Sequence, residues 1–283
     1  MGKVLIIDAG NCTGCTSCVI ACKDEYVAND WSPYSKPQPE YGHFWMKLDK
    51  MERGSTPRVR VSYRPHLCMH CDNPPCVGAC PVNAIEKRND GIVLIDPDVC
   101  NGCKQLPSKL CTDACPYGVI YFNDELGIAQ KCTFCAHLLD DQGWKLGPRC
   151  YDMCPVDGVM TYGDDDDPRI KELMAKAEVL KPEAGTKPRI YYLNLPKPFI
   201  AGCVVDLERK EVVIGGKVTA LELSTGEKYE ALTDDFGDFW FKNLKWNNKY
   251  LLRVEKEGYE EKTPGVYKTD KDINLGDIFL AKR

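Results

Sequence analysis

With 283 residues, 43% of them hydrophobic and 28% charged, the chain is long enough for two compact domains and too ordinary in composition to be disordered or collagen-like. No run approaches the roughly 20 apolar residues of a membrane-spanning helix, so a membrane-integral subunit is not expected. A formal charge of −5 argues against nucleic acid as partner, and seventeen cysteines are far too many to be idle core residues.

The opening, MGKVLIIDAGNC, predicts a short strand at Val4 to Ile7. Its apolar run is too short for a secretory signal and it has no twin-arginine pair, so a cytoplasmic chain is expected unless a partner exports it. Disulfides are not expected in that compartment, and the cysteines read as metal ligands. They fall into four groups. Cys12, Cys15, Cys18 and Cys22 form C-x2-C-x2-C-x3-C; an insertion from Asp24 to Leu67 follows. Its Trp31, Pro33, Tyr34, Phe44 and Trp45 fit a contact surface and ordinary packing equally well. Cys68, Cys71, Cys76 and Cys80 form C-x2-C-x4-C-x3-C-P, followed by a hairpin turning at Asn89-Asp90-Gly91 with a strand at Ile92 to Ile95. Cys100, Cys103, Cys111 and Cys115 form C-x2-C-x7-C-x3-C-P, followed by a second hairpin turning at Asp124 to Gly127. Cys132, Cys135, Cys150 and Cys154 form C-x2-C-x14-C-x3-C-P. This internal repeat of cysteine loop, short helix and hairpin is the plan of a bacterial-type ferredoxin, used twice.

Residues 161–197 are expected to be a polar linker that wraps the first domain, with a helix-like stretch at Ile170 to Leu180 and then Pro182 and Pro188. The run Asp164 to Asp167 reads as a solvated turn rather than a cation site. From residue 198 onward, short alternating segments with Gly and Asp turns predict a small antiparallel β-sandwich. Gly216 to Leu223, Thr233-Asp-Asp-Phe-Gly237 and Gly258-Tyr259 resemble the transthyretin-like or carboxypeptidase-regulatory sandwich, which implies a docking role. The fold class is therefore α+β: a double ferredoxin domain over 1–160 carrying four [4Fe-4S] clusters, the 161–197 linker, and a transthyretin-like/Ig-like sandwich over 198–283.

A cubane needs four converging thiolates, and C-x2-C lets one tight loop supply two or three of them. In two-cluster ferredoxins the fourth cysteine of each run ligates the other cluster. Pro81, Pro116 and Pro155 fix the chain direction after that cysteine, and Gly14 and Gly102 let amides approach the sulfurs. Zinc ribbons also use C-x2-C, but they need two pairs and not four groups ending in C-x3-C. Four clusters at about −2 each would take the holoprotein to about −13. His66, His70 and His137 lie beside cysteines and read as packing or supporting groups, because sixteen thiolates already fill the ligand places. Cys203 stands alone and reads as a buried strand residue. No Ser/His/Asp set, phosphate loop or zinc-protease signature is present, so the chain itself is expected to do no substrate chemistry.

With these groups in this order, residues 1–160 resemble the four-cluster subunits of the dimethyl-sulfoxide reductase superfamily of molybdenum or tungsten bis-pterin oxidoreductases. That resemblance implies a pairing of group one with four and of group two with three. One cluster would use Cys12, Cys15, Cys18 and Cys154, and a second Cys68, Cys71, Cys76 and Cys115. A third would use Cys80, Cys100, Cys103 and Cys111, and a fourth Cys22, Cys132, Cys135 and Cys150. It also implies a large partner subunit holding molybdopterin guanine dinucleotide, as a heterodimer or higher assembly. YRPHLCMHCDNPPC, DGIVLIDP, CPYGV, AQKCTFCAHLLDD and KPEAGTKPRIYY resemble the small subunits of pyrogallol-phloroglucinol transhydroxylases, which implies polyhydroxylated aromatic substrates. That branch has lost one cluster, whereas Cys80, Cys100, Cys103 and Cys111 are all present here. The departure favours a related phenol hydroxylase or catechol-type reductive dehydroxylase with an external electron partner, ahead of a transhydroxylase. The alternatives are a subunit of another molybdopterin reductase and a freestanding polyferredoxin.

Overall fold

The computed structural model describes residues 2–104 and 106–283. The chain forms two compact units, Met1–Lys50 with Ser62–Leu195 and Met51–Val61 with Pro196–Arg283.

The first unit opens with β1 (Lys3–Asp8) and α1 (Ser17–Tyr26). The strands β2 (Lys47–Ser55) and β3 (Arg58–His66) then pair as a hairpin whose tip belongs to the second unit. Next come α2 (Pro75–Ala79) and the hairpin of β4 (Ile85–Lys87) with β5 (Val93–Ile95). The pattern repeats in α3 (Leu110–Ala114) and the hairpin of β6 (Tyr121–Asn123) with β7 (Ile128–Gln130). The helices α4 (Ala136–Leu139) and α5 (Arg149–Asp152), then β8 (Met160–Asp164), α6 (Pro168–Lys176) and β9 (Ile190–Leu193), complete it.

β1 is the centre of a three-stranded sheet, antiparallel to β8 with Ile6 opposite Thr161, and parallel to β9 with Leu5 opposite Ile190. Its run Val4–Ile7 is apolar throughout because both faces are covered. Leu5 and Ile7 join the main core with Ile190 and Tyr192, while Val4 and Ile6 pack on Ile170 of α6. Each such burial contributes about 1.5–3 kcal/mol. That need for cover explains why 161–197 is not a free linker: β8, α6 and β9 build it into the first unit.

The aspartate run is spent on the same task. Asp164 pairs with Lys3, and Asp165 holds Arg189 and the Gly2 N–H. Asp167 caps α6 by accepting the N–H groups of Arg169 (2.7 Å) and Ile170 (3.3 Å), with Pro168 at the first helical position. The helix ends at Lys176 rather than Leu180, because Ala177 turns extended and Glu178 bridges to Tyr192.

In the second unit the strands are β10 (Ile200–Asp206), β11 (Lys217–Glu222), β12 (Lys228–Leu232), β13 (Asp238–Phe241), β14 (Lys249–Glu255), β15 (Lys262–Lys268) and β16 (Ile273–Leu280). They form a three-stranded sheet, β13-β10-β16, and a four-stranded sheet, β12-β11-β14-β15. β10 runs parallel to β16, so the sandwich is not wholly antiparallel as the alternation predicted; the reason is that the chain crosses between sheets before its last strand returns beside β10. Ile200, Val204 and Phe239 of one sheet share a core with Val218, Tyr250 and Leu252 of the other. Cys203 is buried in β10 opposite Asp238, its sulfur 3.4 Å from the Phe236 carbonyl.

Candidate metal centres

Each C-x2-C loop has a left-handed residue two places after its first cysteine, Gly14 (φ 77°), His70 (φ 43°), Gly102 (φ 65°) and Phe134 (φ 58°), and in two of the loops the next cysteine, Cys103 (φ 54°) or Cys135 (φ 52°), is left-handed as well. Such a turn swings successive N–H groups toward the loop's inside, where they can face an anion. At Gly102 the glycine is required twice over, since a Cβ would lie 2.1 Å from the Gly127 carbonyl oxygen. At the two non-glycine positions, packing holds the strained backbone in place. His70 and Phe134 are buried with their rings edge-to-face at 5.1 Å, and His70 Nδ1 accepts the Val93 N–H at 3.0 Å.

Backbone amides reach the sulfurs. The N–H of Phe134 points to Cys132 Sγ (3.3 Å) and that of Ala84 to Cys80 Sγ (3.3 Å). Those of Arg149 and Ala129 point to Cys135 Sγ and Cys100 Sγ, each at 3.5 Å. The remaining cysteines of each group sit on or beside a short helix: Cys18 and Cys22 on α1, Cys76 on α2 with Cys80 capping it, Cys111 on α3 with Cys115 capping it, and Cys150 on α5.

The structure brings cysteines from different groups together. Cys68, Cys71, Cys76 and Cys115 line one small cavity, and Cys80, Cys100, Cys103 and Cys111 line another. Apolar groups such as Val93, Ile120, Ile85 and Ile95 complete their walls. Burial pushes the Cys18 thiol up to about 12, and the charges of Cys12, Cys154 and Cys15 add to it. Burial likewise raises Cys150, with Cys135, Cys132 and Cys22 as its next causes. Among the described residues no three His, Cys, Asp or Glu side chains close tightly enough to hold a single ion. Four soft sulfur donors set around a cavity, with amide N–H groups aimed at them, fit a multi-iron sulfide cluster instead.

Cysteines of different groups adjoin one another. α1 carries Cys18 and Cys22 one turn apart. Burial raises the Cys132 thiol, and the charges of Cys68 and Cys135 add to it. α2 then links Cys76 to Cys80. Cys15 is exposed and Cys80, Cys100 and Cys103 are half-buried, while Cys22, Cys132, Cys135 and Cys150 are buried.

The histidines point elsewhere. His137 stacks on Trp31 at 4.2 Å and bonds Glu25 through Nε2 at 2.9 Å. His66 faces Asp49, and burial holds both His66 and His70 below the ordinary histidine range. In the insertion, Trp45 is core and Trp31 and Tyr34 pack against it, whereas Tyr41 and Phe44 are exposed. The sequence reading missed Lys131, which lies buried beside Cys132; its only sequence signal is its place directly before the fourth cysteine group.

Four-cysteine groups in loops repeated in tandem define an iron–sulfur electron carrier. A 4Fe-4S dicluster domain matches residues 59–165 and a second one residues 11–84, and a carboxypeptidase regulatory-like domain matches residues 200–278. The chain is 41% identical over 288 residues to the pyrogallol hydroxytransferase small subunit of Pelobacter acidigallici, covering 98% of each chain. It is 34% identical to the arsenate respiratory reductase iron-sulfur subunit of a Shewanella species, over 67% of this chain and 95% of that one. It is 32% identical to the thiosulfate reductase electron transfer subunit of Salmonella typhi, over 63% and 84%. The chain belongs to the iron–sulfur electron-transfer subunits of the molybdopterin oxidoreductases, and its dicluster domains account for four [4Fe-4S] clusters. Among the described residues no helix is long and apolar enough to cross a membrane.

Proposed function

We propose that the chain passes single electrons along four clusters to or from a large molybdopterin subunit that acts on polyhydroxylated aromatics. The ligand sets are Cys12, Cys15, Cys18 and Cys154; Cys22, Cys132, Cys135 and Cys150; Cys68, Cys71, Cys76 and Cys115; and Cys80, Cys100, Cys103 and Cys111. A bound [4Fe-4S] cluster supplies one-electron exchange with its iron filled by thiolate. The chain's own residues fix the separations, exclude water and aim amides at the sulfurs. The C-terminal sandwich, of transthyretin-like type, serves docking, and the complex works in the cytoplasm.

The observation that supports this reading is that Cys80, Cys100, Cys103 and Cys111 are all present and line one cavity. An internal hydroxyl transfer has no net electron demand, so a far-end cluster is useful only if electrons enter or leave there. Reduced viologen or ferredoxin should therefore drive a reductive dehydroxylation by the purified complex. Turnover that proceeds only as internal transfer, with no electron uptake, would contradict it. A chain that purifies as a lone monomer would point instead to a freestanding polyferredoxin.

A further inference from the structure

A buried cation stands where the two central cysteine sets meet. Lys131 is 2% exposed, at the end of β7 and directly before Cys132. Its ammonium donates to the carbonyl of Val93 and to the carbonyl of Cys132 at 3.1 Å. Among the described residues no carboxylate is ion-paired with it. The contrast with neighbouring cations is direct. Lys87 pairs with Asp72 at 2.8 Å, and Arg149 pairs with both Glu25 and Asp152.

A buried ammonium needs an anion, because carbonyl dipoles only partly replace its hydration. The anionic groups within its field are sulfurs from two different sets. Its charge bears on Cys76, in the set with Cys68, Cys71 and Cys115, and on Cys132, in the set with Cys22, Cys135 and Cys150. Val93 ties the position down: it lines the Cys68 cavity, its carbonyl accepts from Lys131, and its N–H donates to His70. The ammonium is thus held by backbone on both sides and cannot swing to solvent.

We propose that Lys131 is the fixed positive charge shared by the two central clusters, raising both midpoint potentials and keeping the middle of the row from becoming a barrier. Each one-electron reduction adds negative charge to a cluster, and a cation held in low dielectric stabilises the reduced form more than the oxidised one. Because the ammonium lies between two sets, it also offsets the repulsion of an electron on one cluster by an electron on the next. This rests on the cluster assignment above.

The test is an EPR-monitored redox titration of the anaerobic complex with Lys131→Gln, which keeps a donor for the two carbonyls, and with Lys131→Arg, which keeps the charge. In Lys131→Gln, two of the four midpoint potentials are expected to fall by at least tenfold in the reduction equilibrium, 59 mV for one electron. The other two are expected to hold, as are all four in Lys131→Arg. Unchanged potentials in Lys131→Gln, an equal shift of all four, or a like fall in Lys131→Arg would overturn the inference. If the Gln variant loses the two central clusters while the Arg variant keeps them, charge is required for their assembly and the inference stands; loss in both variants overturns it. A wild-type complex with fewer than four clusters would instead sink the assignment on which the inference rests.

Discussion

The buried thiols define the chemistry at the scale of single residues. Cys18, Cys76 and Cys132 are pushed up to about 12, and Cys71, Cys111 and Cys135 to about 11, in each case by burial first. Without iron these groups hold their protons at neutral pH, and only metal charge makes them thiolates. The sign follows from the raised folded values. The protonated thiols favour the iron-free fold below the ordinary value of 9.0, and that contribution is lost as pH rises through about 11 to 12. Cluster assembly runs the other way, since it must expel the protons. Chelator-driven bleaching of the holoprotein, followed by visible absorbance, should quicken as the buffer is lowered from about pH 8 to pH 6. Rates that stay flat or slow across that range would argue that the thiols are not the ligands.

Among elements, the C-x2-C loop is the working part, and left-handed backbone two places after its first cysteine bends it. Gly102 is the sharpest case, with φ 65° and the Gly127 carbonyl against its α-carbon. Gly102→Ala should remove the cluster of Cys80, Cys100, Cys103 and Cys111, lowering the iron count by about four per chain while the others persist. Gly78→Ala is the control: that residue sits in α2 and an added Cβ would meet nothing within 4 Å. A full iron count in Gly102→Ala would refute this account of the loop. Gly14 and Gly102 were legible in the sequence because glycine advertises a left-handed turn. His70 and Phe134 were not, because the strain they bear is offset by packing on residues distant in the chain.

For the whole molecule, the cysteine groups, both hairpins and the change of architecture near residue 198 were readable from spacing and turn chemistry. The reach of the second unit into Met51–Val61 was not. Within that unit Arg58 is buried and bonds Asp238 and Asn274, and Arg53 pairs with Asp272. Those partners lie about 180 to 220 positions away in the chain, as with Arg58 and Asp238, beyond any local pattern. Segment 161–197 looked like a linker because it is polar, yet a few apolar residues, Ile170, Ile190 and Tyr192, anchor it. A shorter reach of 38 positions was enough to hide Lys131, whose carbonyl partner Val93 lies on another hairpin.

The measurement that bears most directly on the central claim is iron and acid-labile sulfide per chain in the anaerobically purified complex, read beside its absorbance near 400 nm. Four cubanes require about sixteen irons and as many sulfides in a brown protein. A colourless chain, or one holding zinc in place of iron, would contradict the account at its root.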